Sequence, residues 1–298
     1  MTSSAPTSYF ITVLGIRVHY NLALPSQSTF VEENGTIVLI HGFLGSTFTW
    51  NKCLQPLADR TGCRVLAYDR LGFGLTERIL DGERYTRKNE EALALELFNQ
   101  LNMTKNIHLV SSSSGAVIAF DLAIARPNLI RSVIFVAPYG LVDTQHSMGS
   151  ISQRLIGTKP VQWLLKFGLT HFLPFKNAYY NENLAKDALI REGYLKPIRD
   201  DPLFVQSFVL FTQHYDASSS SVPAWNQLDS EQNILIIIGE YDRIVARENI
   251  EKFYQILKSN RLSESRTECS TIANCGHLPQ EEQAEELINI IERFLTKV

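Results

Sequence analysis

Residues 107–115 read Ile-His-Leu-Val-Ser-Ser-Ser-Ser-Gly, an apolar, β-branched run that stops abruptly at small residues. Residues 116–123 then continue as an apolar helical stretch. A buried strand that turns this sharply into a helix needs small side chains on both sides of the turn. Its apex residue is driven into strained backbone with its side chain exposed. Ser113 fits the apex best of the four serines, with Ser111 and Gly115 two positions to either side. An apex at Ser112 would bring branched Val110 to a crowded position, and one at Ser114 lies too far from the strand.

The same kind of short, continuous apolar run recurs at 36–40, 64–68, 106–110, 131–136 and 234–238, as expected of strands covered on both faces. Between them the pattern predicts helices over 47–59, over 87–101 behind a Thr86 cap, and over 114–125 up to Pro127. Residues 10–24 read as an edge hairpin turning at Gly15. Strands alternating with helices predict an α/β fold, a mostly parallel sheet flanked by helices. From about residue 139 to 225 the strand runs cease and helical patterns take over at 152–172, 183–195 and 202–213, followed by a four-serine hinge at 218–221. This predicts a helical cap, 139–225, inserted after the sixth strand of a core made of 1–138 and 226–298. It would lie over the carboxyl ends of the strands, where open α/β sheets bind ligands.

Composition narrows the function. A net charge of -3 lacks the clustered Lys and Arg that a nucleic-acid or polybasic membrane surface needs. No apolar run approaches the ~20 residues of a membrane span, and the first residues carry no secretory pattern. Cys53, Cys63, Cys269 and Cys275 are too scattered for a disulfide framework or a zinc site and read as free thiols in a reducing compartment, the cytoplasm. Asn34-Gly35-Thr36 and Asn102-Met103-Thr104 match the glycosylation pattern but are expected to stay unused there.

Three more segments fall where an exposed Ser113 needs them. His41-Gly42-Phe43-Leu44-Gly45-Ser46 follows the 36–40 strand, and a backbone N–H of that turn, at Phe43, pairs with the N–H of Ser114 at a helix start as donors to an oxyanion. Gly239-Glu240-Tyr241-Asp242 follows the 234–238 strand and offers a carboxylate to orient a histidine; Asp143, which also follows a strand, is its rival. Gly276-His277-Leu278-Pro279 supplies the histidine that lies in a small-residue loop downstream of both. The chain order is Ser113, Asp242, His277.

With these segments the chain resembles the α/β-hydrolase superfamily from about residue 10 onward. His41–Ser46 looks like its HG-x-x-x-S loop, Asp69-Arg70-Leu71-Gly72-Phe73-Gly74-Leu75-Thr76 its D-x-x-G-x-G-x-S segment with Thr for Ser, Gly239–Asp242 its acid loop, and Gly276–Pro279 its GH-x-P loop. The capped subgroup, which includes epoxide hydrolases, haloalkane dehalogenases, carbon–carbon bond hydrolases and esterases, inserts helices at the corresponding place. Ser111 departs from the usual first glycine of the elbow. A serine at the apex sets the chain apart from epoxide hydrolases and dehalogenases, which need Asp there. The resemblance implies acyl transfer through a covalent Ser113 intermediate, with His277 as base and Asp242 orienting it, and no metal or organic cofactor. Trp163, Phe167 and Phe208 in the insertion are candidates to contact a small, apolar or aromatic acyl substrate. A carbon–carbon bond hydrolase or acyltransferase would use the same residues, and a small-molecule receptor with little turnover is the alternative of another class. The pattern specifies no oligomeric state.

Overall fold

The fold is described from a computed structural model over residues 7–26, 34–141, 158–171, 177–215, 228, 231–259 and 266–298. Asp143 and the four-serine run at 218–221 lie outside these residues. The hairpin is β1 (Thr7–Val13) and β2 (Ile16–Ala23), antiparallel and opening the sheet at one edge. The continuous apolar runs become β3 (Thr36–Ile40), β4 (Arg64–Tyr68), β5 (Ile107–Ser112), β6 (Ile130–Val136) and β7 (Asn233–Gly239). An eighth strand, β8 (Thr267–Ile272), closes the other edge. The order is β1-β2-β4-β3-β5-β6-β7-β8, and every pair from β4 onward is parallel.

Each central strand sends alternate residues to opposite faces, so two cores form. One gathers Val38, Leu109, Val133 and Ile236 under α2 (Arg87–Gln100), α3 (Gly115–Ala125) and α7 (Arg247–Ser259); the other gathers Leu39, Val110, Ile134 and Ile237 under α1 (Leu54–Thr61) and α9 (Ala284–Leu295). Between β6 and β7 the chain forms α4 (Lys159–His171), α5 (Ala188–Asp200) and α6 (Phe204–His214). The four-residue α8 (Pro279–Glu282) precedes α9.

The helix expected over 47–59 is two pieces. Ser46 accepts from Phe48 N and caps a 3-10 turn over Thr47–Trp50, and α1 starts only at Leu54. Pro56 fits the late start: in a helix's first turn its missing N–H forfeits no intrahelical bond, whereas further in it would cost about 3 kcal/mol.

Two buried histidines tie stability to pH. Burial, helped by Arg70, lowers His41 to about 4; burial, helped by Arg131, lowers His108 to about 4 while its Nδ1 bonds Ser132 Oγ at 2.8 Å. Between that value and the ordinary 6.5 the unfolded chain binds protons that the native one does not, so stability falls as pH falls through this window. Burial raises the Glu90 and Glu281 carboxyls, which act in the opposite sense and trim the loss. Denaturant unfolding at pH 5 is expected to give a stability about 2 kcal/mol below that at pH 7.5. An unchanged stability would mean that the histidine loss is absent or fully offset by the two carboxyls.

Candidate active site

At the end of β5, Ser113 takes φ +51°, a left-handed conformation that costs a non-glycine residue about 1–3 kcal/mol. Three backbone bonds hold it: Ser113 N to Val136 O at 3.0 Å, Tyr139 N to Ser113 O at 3.1 Å, and Ala116 N to Ser113 O at 3.0 Å. Ser111 is fully buried, and its hydroxyl reaches the Ile134 carbonyl at 3.4 Å, so the departure from glycine leaves no stranded donor. Two glycines bring the neighbouring backbone close. A Cβ on Gly42 would sit 2.9 Å from Ser113 Cβ, and one on Gly115 would sit 2.7 Å from His41 O. The His41–Phe43 loop therefore runs directly against Ser113.

His41 orients that loop. Its Nδ1 donates to Gly42 O at 2.8 Å, its Nε2 accepts from Arg70 N at 3.0 Å, and Arg70 Nη1 donates to His41 O at 3.2 Å. These roles suit the neutral ring that burial enforces. With the Gly42 carbonyl bound, the planar trans peptide turns the Phe43 N–H the opposite way. Arg70 is in turn paired with buried Glu90 at 2.7 Å.

Asp242 and His277 meet on loops that follow β7 and β8. His277 Nδ1 lies 2.8 Å from Asp242 Oδ2, with both side chains buried. Asp242 Oδ1 accepts from Ile244 N at 2.8 Å and Val245 N at 3.0 Å, so the carboxylate is fixed and His277 must carry its proton on Nδ1. That leaves the Nε2 lone pair free to accept a proton. Tyr241 N donates to Cys275 O at 2.9 Å, joining the two loops, and Gln280 Nε2 reaches Ser112 Oγ at 3.2 Å, joining the histidine loop to the Ser113 turn.

The segment between β6 and β7 clamps onto the same loop through a turn at 178–181 and through Tyr194 of α5. His277 N donates to Ala178 O at 2.7 Å; Glu282 accepts from Gly276 N with one oxygen and from Tyr180 N and Asn181 N with the other. Buried Glu281 accepts from the hydroxyls of Tyr179 and Tyr194, and Tyr194 also meets Thr49 Oγ1 at 3.1 Å. Neither glutamate was singled out by the sequence pattern, which shows only acids in a helix's first turn.

Phe43, 49% exposed, faces Phe208 at 5.6 Å, Phe73 at 5.9 Å and Phe211 at 6.2 Å between ring centroids. Phe208 is thus beside the loop that adjoins Ser113. Trp163 and Phe167 instead stack on each other along α4, with Trp163 69% exposed, which suits an outer surface better than a pocket wall.

This chain belongs to the α/β-hydrolase superfamily: the family model for the alpha/beta hydrolase fold matches residues 35–284. It is a hydrolase of that superfamily. Over 99% of its length it is 26% identical to the uncharacterized hydrolase YugF of Bacillus subtilis (strain 168), covering 100% of that protein. It is 25% identical to the 2-hydroxymuconate semialdehyde hydrolase of Pseudomonas putida over 78% of this chain and 77% of the other. Among solved structures, the epoxide hydrolase CorEH superposes with a TM-score of 0.74 at 18% identity, covering 98% of this chain and 99% of that one.

The clamp has a measurable weight. In Glu281→Gln one tyrosine hydroxyl faces an amide NH₂ instead of an acceptor, which is expected to cost about 1–3 kcal/mol in denaturant unfolding. Tyr194→Phe added to Glu281→Gln should then cost less than Tyr194→Phe alone. Additive losses would mean that the two groups are not coupled.

Proposed function

We propose that this hydrolase is a serine esterase whose triad is Ser113, His277 and Asp242, working under a cap formed by residues 139–225 on a core of 1–138 and 226–298. The carrying observation is the fixed Asp242–His277 pair at 2.8 Å on a loop bonded to the Ser113 turn. Ser113 Oγ attacks an ester carbonyl while its proton passes to His277 Nε2. Asp242 keeps the ring in the tautomer that receives it and stabilises the imidazolium. The Phe43 and Ser114 N–H groups bond the oxyanion. Collapse expels the alcohol, protonated by His277, and a water activated by the same nitrogen releases the acid. No metal or organic cofactor enters this scheme. Phe208, with Phe43, Phe73 and Phe211, is read as the wall against an apolar or aromatic acyl group. Free cysteines, three of them buried, support a reducing, cytoplasmic setting.

The similarity to a semialdehyde hydrolase favours carbon–carbon bond cleavage as the second reading, since the same three residues would serve it. Product analysis separates the two.

Hydrolysis of p-nitrophenyl esters from acetate to dodecanoate tests the proposal. Ser113→Ala is expected to lower kcat by a factor of about 10³ or more, and Asp242→Asn by about 10²–10⁴. The wild-type optimum should fall at a medium chain, and Phe208→Ala should move it to longer chains. An undiminished rate in Ser113→Ala would refute the triad, whereas rates falling steadily from acetate would refute only the acyl wall.

A further inference from the structure

Away from this site, a second serine, histidine and aspartate stand in one hydrogen-bonded line. His19 of β2 bonds Asp69 Oδ2 through Nδ1 at 2.7 Å and Ser8 Oγ of β1 through Nε2 at 2.8 Å. The hairpin register produces the line: His19 pairs with Phe10, so Ser8, two residues along, is its diagonal neighbour on the same face. Asp69 and His19 are buried, whereas Ser8 is exposed on the edge strand of the sheet.

The buried end decides which atom donates. Asp69 Oδ1 accepts from Thr47 N at 2.6 Å, and Oδ2 accepts from Leu75 N at 2.7 Å as well as from His19. Burial alone would raise the Asp69 carboxyl, but His19 and the backbone donors outweigh it and hold it below its ordinary value. An ionised carboxylate only accepts, so His19 carries its proton on Nδ1. In the neutral ring Nε2 then carries the lone pair, and the Ser8 hydroxyl donates to it. This polarity is the one that makes a serine nucleophilic.

We propose that Ser8 is a second nucleophilic site, an acyl acceptor for activated carboxylic esters, aryl esters above all, that works independently of Ser113. Ser8 Oγ bonds to the acyl carbon as its proton passes to His19 Nε2. The bond from that carbon to the aryl oxygen breaks, and the leaving oxygen takes the proton from His19. The products are O-acyl-Ser8 and a phenol. Ser8 lies in regular β pairing, without the strained turn and the close glycine loop that surround Ser113. It therefore needs a good leaving group, and its acyl ester persists rather than turning over.

The test uses the Ser113→Ala protein with p-nitrophenyl acetate, read by p-nitrophenolate release and by mass spectrometry of peptides. One equivalent is expected on Ser8, formed about tenfold or more faster than on Ser26 and Ser259. Those serines are also exposed, but their hydroxyls bond Gln55 and the Ile256 carbonyl instead. Adding His19→Gln should bring Ser8 down to their rate. Should His19→Gln fail to fold by circular dichroism, Ser8→Cys decides: its thiol should be alkylated by iodoacetamide faster than that of Ser26→Cys, an exposed position bonded to Gln55 instead of a histidine. Ser8 reacting no faster than Ser26 and Ser259, acetylation confined to lysines, or a thiol at position 8 no faster than one at position 26 would each overturn the proposal.

Discussion

The backbone crossing of the Ser113 turn over the His41–Gly42 segment is the constraint on which the site depends. β3 and β5 are parallel neighbours, and their carboxyl ends leave the sheet side by side. Gly42 and Gly115 let the two exits touch, at approach distances that a Cβ would not permit. The strain at Ser113 is of order a few kcal/mol and persists only because its surroundings over-determine it. Bonds to Val136 and Tyr139 pin the turn from β6, and apolar cores on both faces of the sheet hold the strands that carry it. Loosening either strand would relax the turn before it unfolded the domain.

One electrostatic arrangement recurs at three histidines. Asp242 is fixed by two backbone N–H groups and fixes His277; Asp69 is fixed by Thr47 and Leu75 and fixes His19; His41 is fixed by the Gly42 carbonyl and the Arg70 N–H. In each case the backbone, which is rigid and cannot change protonation, decides which ring nitrogen carries the proton. The consequences differ with what faces the free nitrogen. His41 turns it on a backbone amide and orders a loop, while His19 turns it on a hydroxyl at the surface. The free nitrogen of His277 is the one that, in the proposed triad, would meet the reacting group.

The strongly legible parts of the fold are those with uniform burial. β3 through β7 are apolar on both faces, so their runs stand out, and the Ser113 turn stands out because small residues interrupt such a run. β8 reads Thr-Glu-Cys-Ser-Thr-Ile and alternates between covered and open positions, as an edge strand does, so no continuous run marks it. The helix expected over 47–59 splits because amphipathic spacing is blind to the cap at Ser46 and to Pro56. Trp163 and Phe167 suit a pocket by residue type alone, yet they stack on each other along α4. The Glu281 pairs join residues 102 and 87 positions apart, and no local pattern encodes a contact of that separation.

Those distant pairs join the segment between β6 and β7 to the histidine loop. The two attachments of the insertion to the core differ in kind. At Ala178–Asn181 and Tyr194 it is held by directional bonds to Glu281, Glu282 and the His277 backbone; those to Glu281 are buried, and parting them would strand its carboxyl group in an apolar setting. At Phe208 and Phe211 it rests on Phe43 and Phe73 through ring contacts, which can slide or tilt at little cost. Phe43 is half exposed at that second end and has room to move. The side that carries His277 is thus held by directional bonds, and the side beside the Ser113 loop by ring contacts. Under the proposed triad, that division would hold the base in place while an acyl group is admitted.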